Sequence, residues 1–203
     1  MSNEKTDFTS QIMIWASKNI KYVVIGAVVG ITIPLSWNYY QYNIERNNLV
    51  ASDLYNELSS LVNTNDDYLE MENAILSNYE NSVYDTLSRF ILSKKEFENK
   101  NYEQAKVHLE EILSINTNKT YNSLAIIKIS KISVQQEKYD EALEYLEKVQ
   151  LKDAFKQIIS ELKGYIYKFK GDSQNSLKFY NEAISSSAIN NENLLMKKNS
   201  VEK

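Results

Sequence analysis

The chain has 203 residues, 43% of them hydrophobic and 25% charged, the mix of one folded domain with an appendage. Twenty-three basic against 27 acidic residues leave a formal charge of −4, which argues against a nucleic-acid binder and its concentrated basic surface. With no Cys and one His, disulfides, thiolate sites and multi-histidine metal clusters are excluded, and one Pro with four Gly leaves few breakers, so an all-α chain is predicted.

The first predicted element is a membrane helix. Between Lys21 and Glu45 no side chain is charged, and the stretch from Tyr22 to Trp37 is the most apolar in the chain. A spanning helix needs roughly 20 apolar residues. The segment 22–42 is therefore expected to be a transmembrane anchor that partners the lipid bilayer. Trp15, Lys18 and Lys21 before it, and Trp37, Tyr39 and Tyr40 at its far end, are expected as interfacial anchors, since Trp and Tyr favour the headgroup region. A cleaved signal peptide would have a shorter run and a small-residue cleavage site, which the polar, aromatic end does not offer. A core helix would rarely be apolar on every face for this length.

Lys5, Lys18 and Lys21 lie before the span and Arg46 close after it. The excess of basic residues before the span predicts a cytoplasmic head over 1–21 and export of the remainder. Gly26 and Gly30 form a GxxxG pair. It reads either as a docking stripe for another membrane helix or as the ordinary glycine content of such helices. Pro34 cannot donate to the Gly30 carbonyl and marks the same place.

A helical neck with capping helices is expected over 43–83. Leu49, Leu54, Leu58, Leu61 and Val62 carry a helical pattern to about residue 62. The stretch Asn63 to Asp67 breaks it, with Asn or Asp as N-cap, and a second helix follows over 68–79 with Leu69, Ala74, Ile75 and Leu76 as packing residues.

From residue 84 the chain repeats itself. The segments 101–113, 138–150 and 172–184 read alike, and their markers Tyr102, Tyr139 and Ser173 stand 37 and 34 residues apart. A period near 34 with paired helices is the tetratricopeptide signature. The signature residues are Tyr102, Ala105 and Leu109 in the first copy and Tyr139, Ala142 and Leu146 in the second. The third has Gly164, Tyr167, Gly171, Tyr180 and Ala183, with Ser173 and Ser176 replacing the usual Tyr and Ala. Small residues at 105, 142 and 176 are expected where paired helices cross most closely. Tyr139, Ala142, Leu143, Leu146 and Val149 share one helical face, leaving Glu141, Glu144, Glu147 and Lys148 solvated.

Partner helices are predicted over 84–98, 124–136 and 155–170. Their apolar faces are Phe90, Ile91 and Phe97; Ile126, Ile127 and Ile129; and Ile158, Leu162, Tyr165 and Phe169. Stacked repeats need capped ends, supplied by the neck and by 192–198. The expected fold is all-α: one transmembrane helix, then an α-solenoid of about three tetratricopeptide-like helix pairs over 84–203. A generic helical bundle is the rival reading.

No catalytic constellation stands out. His108 reads as a surface or packing residue rather than a base, and Glu110 and Glu111 are not placed to orient it. Adjacent acids such as Asp66 and Asp67 point apart on a helix. No P-loop, dinucleotide fingerprint or zinc spacing occurs, and Ser185 to Ser187 reads as a loop. No enzyme activity, cofactor, metal or nucleic-acid partner is expected. What remains is a helical stack whose concave side takes up polypeptide.

The order of parts resembles the ancillary SecYEG translocon subunit family of YfgM type. The resemblance rests on the anchor 24–31 with its aromatic exit 37–40, the segments 78–84 and 162–172, and the ending 194–199. It implies a bacterial inner-membrane protein with periplasmic repeats and no catalytic residue. The implied partners are the SecYEG channel, a membrane-anchored periplasmic chaperone resembling the prolyl isomerase PpiD, and newly exported, unfolded polypeptides. The chain departs from commoner members by its Asn, Lys and Ile in place of Ala and by Pro34 within the span. The alternative is a membrane-tethered scaffold for another envelope complex, in cell division or outer-membrane assembly. An envelope hydrolase would need activity lost on changing His108 or an acid.

Overall fold

The structure, a computed structural model, describes residues 3–64, 66–115, 118–187 and 191–201, with side chains from residue 8 onward. Asn65 of the expected break and the side chain of Lys5 lie outside the described residues. Ten helices and no strand occur among the described residues, and the chain divides into two compact units, Met1–Val50 and Ala51–Lys203.

The first unit holds α1 (Asn3–Lys18) and most of α2 (Ile20–Thr64). Helix α1 lies in the stretch expected as a cytoplasmic head, where no helix is predicted. It ends where the Asn19 N–H donates to the Trp15 and Ala16 carbonyls and the Asn19 side chain also bonds the Trp15 carbonyl. Helix α2 is long and apolar enough to cross a membrane, and none of its apolar stretch is buried within the structure. The segment 22–42, at 1.5 Å per residue, would measure about 31 Å, matching the roughly 30 Å hydrocarbon core. Helix α2 continues through Pro34 and through the neck pattern without a break before Thr64.

The second unit begins with the end of α2, followed by α3 (Leu69–Asn78). Leu58 and Val62 of α2, Ile75 of α3 and Leu92 form its first core cluster. Leu49 of the neck pattern and Leu69, expected to pack, are exposed, whereas Ile75, also expected to pack, and Ala51 are buried.

Three helix pairs follow: α4 (Val83–Glu98) with α5 (Tyr102–Ile115), α6 (Lys119–Gln135) with α7 (Tyr139–Glu147), and α8 (Lys156–Phe169) with α9 (Ser173–Ser185). Helix α10 (Glu192–Asn199) packs on α9 and buries Leu194. Ser82 starts α4 by accepting the Asp85 N–H at 3.0 Å. Helix α6 begins five residues before its expected start, since the Asn118 carboxamide accepts the N–H groups of Thr120 and Tyr121. Helix α7 stops at Glu147 rather than residue 150, and the Leu151 N–H turns to the Ser123 hydroxyl on α6 at 3.3 Å.

The three pairs share one turn. Residues Lys100, Glu137 and Gly171 each have φ between 61° and 77°. In each turn one N–H reaches back three residues and the next reaches back five: Lys100 to Phe97 and Asn101 to Glu96; Glu137 to Val134 and Lys138 to Ser133; Gly171 to Lys168 and Asp172 to Tyr167. This is the Schellman closure of a helix. Its members stand 37 and 34 residues apart, the same offsets as the sequence repeat.

Candidate functional site

Each pair is closed by small residues twelve positions apart. Ser93 and Ala105, Ser130 and Ala142, and Gly164 and Ser176 are all buried. Ser130 Oγ donates to the Ala142 carbonyl at 2.8 Å, and Ser176 Oγ donates to the Gly164 carbonyl at 2.8 Å. At Gly164 an added Cβ would lie 2.9 Å from the Tyr180 ring, so the absence of a side chain makes room for that ring. Tyr180 is buried, which pushes its phenol up to about 12, with the nearby charge of Glu161 adding to the effect. Leu109, Leu146 and Ala183 are buried as well, while Tyr102 and Tyr139 lie half-buried against the neighbouring clusters. Tyr167 stacks on Phe179 at 5.4 Å. A Cβ added at Gly171 would meet nothing within 4 Å, so this glycine serves the left-handed turn rather than a close approach.

His108 stands one period from Tyr145 and two from Phe179, positions that carry rings in every pair. It is half-buried, and burial with the Arg89 charge pushes its imidazole down. Nearby, Asp85 and Arg89 form a buried ion pair at 2.7 Å that the sequence reading missed.

The electrostatics of the second helices also correct an expectation. Glu141 is not on a purely solvated face. Its carboxylate accepts from Lys106 at 2.9 Å and from Ser133 at 3.3 Å, which holds it below the usual carboxylate range. Burial opposes the Lys106 charge, but hydrogen bonding to Tyr145 and Glu141 outweighs it and raises that ammonium. Glu147 is exposed as expected, yet it bonds both Lys152 and Lys163, which lowers it to about 2.

The first helices of the pairs, α4, α6 and α8, line one surface. Ile158, Tyr165 and Phe169 are expected on the core face of α8, but all three are exposed. Leu162, expected on that face, does pack inside, and Ile159 and Ile166 join it in the core cluster with Leu146 and Val149. Helix α8 thus has two apolar faces, because one must pack inside the stack while the other borders an open depression. That depression, about 340 Å³, lies among Phe97, Val134, Ile158, Leu162 and Tyr165. A second, of about 130 Å³, shares Phe97 and Lys131 with it and reaches Lys94 and Lys128. The two form one groove across the three helices. Phe169 continues the aromatic wall, 4.5 Å from Tyr165 and 6.1 Å from Tyr139.

In the first unit Gly26, Gly30 and Pro34 are exposed, and a Cβ on either glycine would meet nothing. Trp15 and Lys18 sit on α1; Lys21 lies 5.0 Å from the Tyr22 ring; Trp37 and Tyr40 are 6.1 Å apart; Tyr39 is exposed. No group of three or more His, Asp or Glu close enough to hold a metal occurs among the described residues.

A family model described as tetratricopeptide repeat-like domain matches residues 14–203. The chain belongs to this family. Its repeat-like domain suggests a protein-interaction scaffold of a kind that is typically non-catalytic. The match extends upstream of the helix pairs and takes in the apolar part of α2. A search of curated proteins returns no match.

Proposed function

We propose that this chain is a non-enzymatic, single-span accessory of the SecYEG translocon in a bacterial inner membrane. Its N-terminus is cytoplasmic. Its periplasmic repeats hold a PpiD-like chaperone, newly exported polypeptides, or both. The observation that carries the reading is the family match from residue 14 to 203, which treats the apolar helix and the helix pairs as one architecture. The basic excess before the span and the resemblance to ancillary translocon subunits support the orientation and the partner. The groove supports polypeptide binding, since it is open and runs across several helices.

In-membrane crosslinking followed by identification of the captured chains tests this. Channel subunits and a periplasmic chaperone are expected. Recovery of cell-division or outer-membrane assembly components in their place would transfer the scaffold to another complex. Protease applied to spheroplasts is expected to digest the repeat domain, and protection until detergent is added would reverse the orientation.

A further inference from the structure

Helix α6 occupies the middle of the three groove-lining helices. Its 17 residues include Lys119, Lys128 and Lys131 and no Asp or Glu. Lys128 and Lys131 make no ion pair among the described residues, and Lys94 has only a loose, exposed one with Glu98 at 3.7 Å. Lys128 leans 5.9 Å over the Phe90 ring. Burial, then the charges of Lys131 and Lys94, push its ammonium down, so the three cations are close enough to repel one another. The groove's acid, Glu161, is already bonded to Lys197 at 2.5 Å. A chain of net charge −4 therefore gathers uncompensated positive charge beside an apolar floor.

We propose that the groove takes an extended acidic polypeptide segment, with carboxylates against Lys94, Lys128 and Lys131 and an aromatic or branched aliphatic side chain over Val134, Ile158 and Tyr165. A carboxylate there relieves the repulsion among the lysines as well as gaining its own attraction, so charge complementarity supplies selectivity. The apolar floor covers a side chain that a bare polyanion lacks, which favours polypeptide over nucleic acid. The proposal rests on the reading that the repeat domain holds polypeptides, and it does not depend on the identity of the membrane partner.

The test uses the full chain in detergent micelles and three labelled peptides, alternating aspartate, serine or lysine with phenylalanine and leucine, read by fluorescence anisotropy. The aspartate peptide is expected to bind at least about tenfold more tightly than the serine peptide, with the lysine peptide weakest. Added salt is expected to erode the difference. Changing Lys128→Glu and Lys131→Glu together should remove the preference. Lys128→Gln with Lys131→Gln should reduce it without reversing charge, which guards against misfolding. Lys148→Glu on α7 should leave it unchanged. Equal binding of acidic and neutral peptides, lost on Ile158→Asp, would overturn the charge inference while polypeptide binding stands. No binding of any peptide would overturn both. Displacement of the acidic peptide by a single-stranded oligonucleotide more readily than by its own unlabelled form would overturn the choice of polypeptide.

Discussion

The second and third helix pairs make the same crossing with opposite chemistry. In α6–α7 the first helix donates, from Ser130 to the Ala142 carbonyl; in α8–α9 the second helix donates, from Ser176 to the Gly164 carbonyl. The corresponding large positions differ too: Leu146 in one pair, Tyr180 in the other, both buried. The repeat thus fixes a distance between two backbones rather than a set of residues. A hydroxyl on either side spans it, and a larger ring in one helix is matched by glycine in its partner.

The largest expected effect breaks that match. Gly164→Ala places a methyl 2.9 Å from Tyr180. Overpacking should cost about 1–3 kcal/mol, offset in part by the roughly 1 kcal/mol of helix propensity that Ala gains over Gly. Gly164→Ser combined with Tyr180→Leu copies the α6–α7 residues and should cost less than the two single changes added together. Hydrogen exchange in α8 and α9 measures this locally. Strict additivity would show that the ring and the glycine are not coupled.

The hydroxyls come next. Ser130→Ala and Ser176→Ala should each cost about 1 kcal/mol, the usual net value of one buried hydrogen bond. Equal losses would support the symmetry of the two crossings. A loss at one site only would make the other hydroxyl a passenger.

The shared turn gives a smaller effect of opposite sign. Gly171 adopts its φ of 77° freely, whereas Glu137 holds 61° and Lys100 holds 65° with side chains that disfavour it. Glu137→Gly should therefore raise stability by up to about 1 kcal/mol, and Gly171→Ala should lower it by a similar amount. Thermal unfolding checks both, and a destabilised Glu137→Gly would count against the left-handed turn.

These turns explain why the repeat was legible. Spacings of 37 and 34 residues and the small residues at 105, 142 and 176 follow from packing that recurs, so the periodicity of the sequence carries the helix pairs. The apolar run after Tyr22 was equally plain. The groove was not. Ile158, Tyr165 and Phe169 share a helical face as regular as a core face, and apolarity alone does not say whether a neighbour covers it. The lysines of α6 lie nine and three residues apart, and their nearness to Lys94 arises only when α4 and α6 stack. One signal was available: a 17-residue helix with no acid in an acidic chain. The buried pair of Asp85 and Arg89 showed only the spacing of an ordinary surface ion pair, and α1 lacked a sharp enough apolar stripe to announce itself.

The smallest expected effect concerns how one pair is tied to the next. Glu147 on α7 bonds Lys163 on α8 at 2.5 Å and Lys152 at 2.8 Å. Its carboxyl titrates at about 2 in the folded chain, below the ordinary 4.5. A depressed carboxyl adds stability that is complete above the unfolded value and drains away as pH falls from about 4.5 toward about 2. Glu141, lowered by Lys106, acts in the same direction. Because Glu147 is mostly solvated, water and salt screen the contribution, and a modest shift in Tm is expected. Comparing wild type with Glu147→Gln at about pH 5.5 and about pH 2.5, the gap in Tm should narrow on acidification and narrow again on adding salt. A gap that stayed constant across that window would mean the carboxylate joins the second pair to the third by packing rather than by charge.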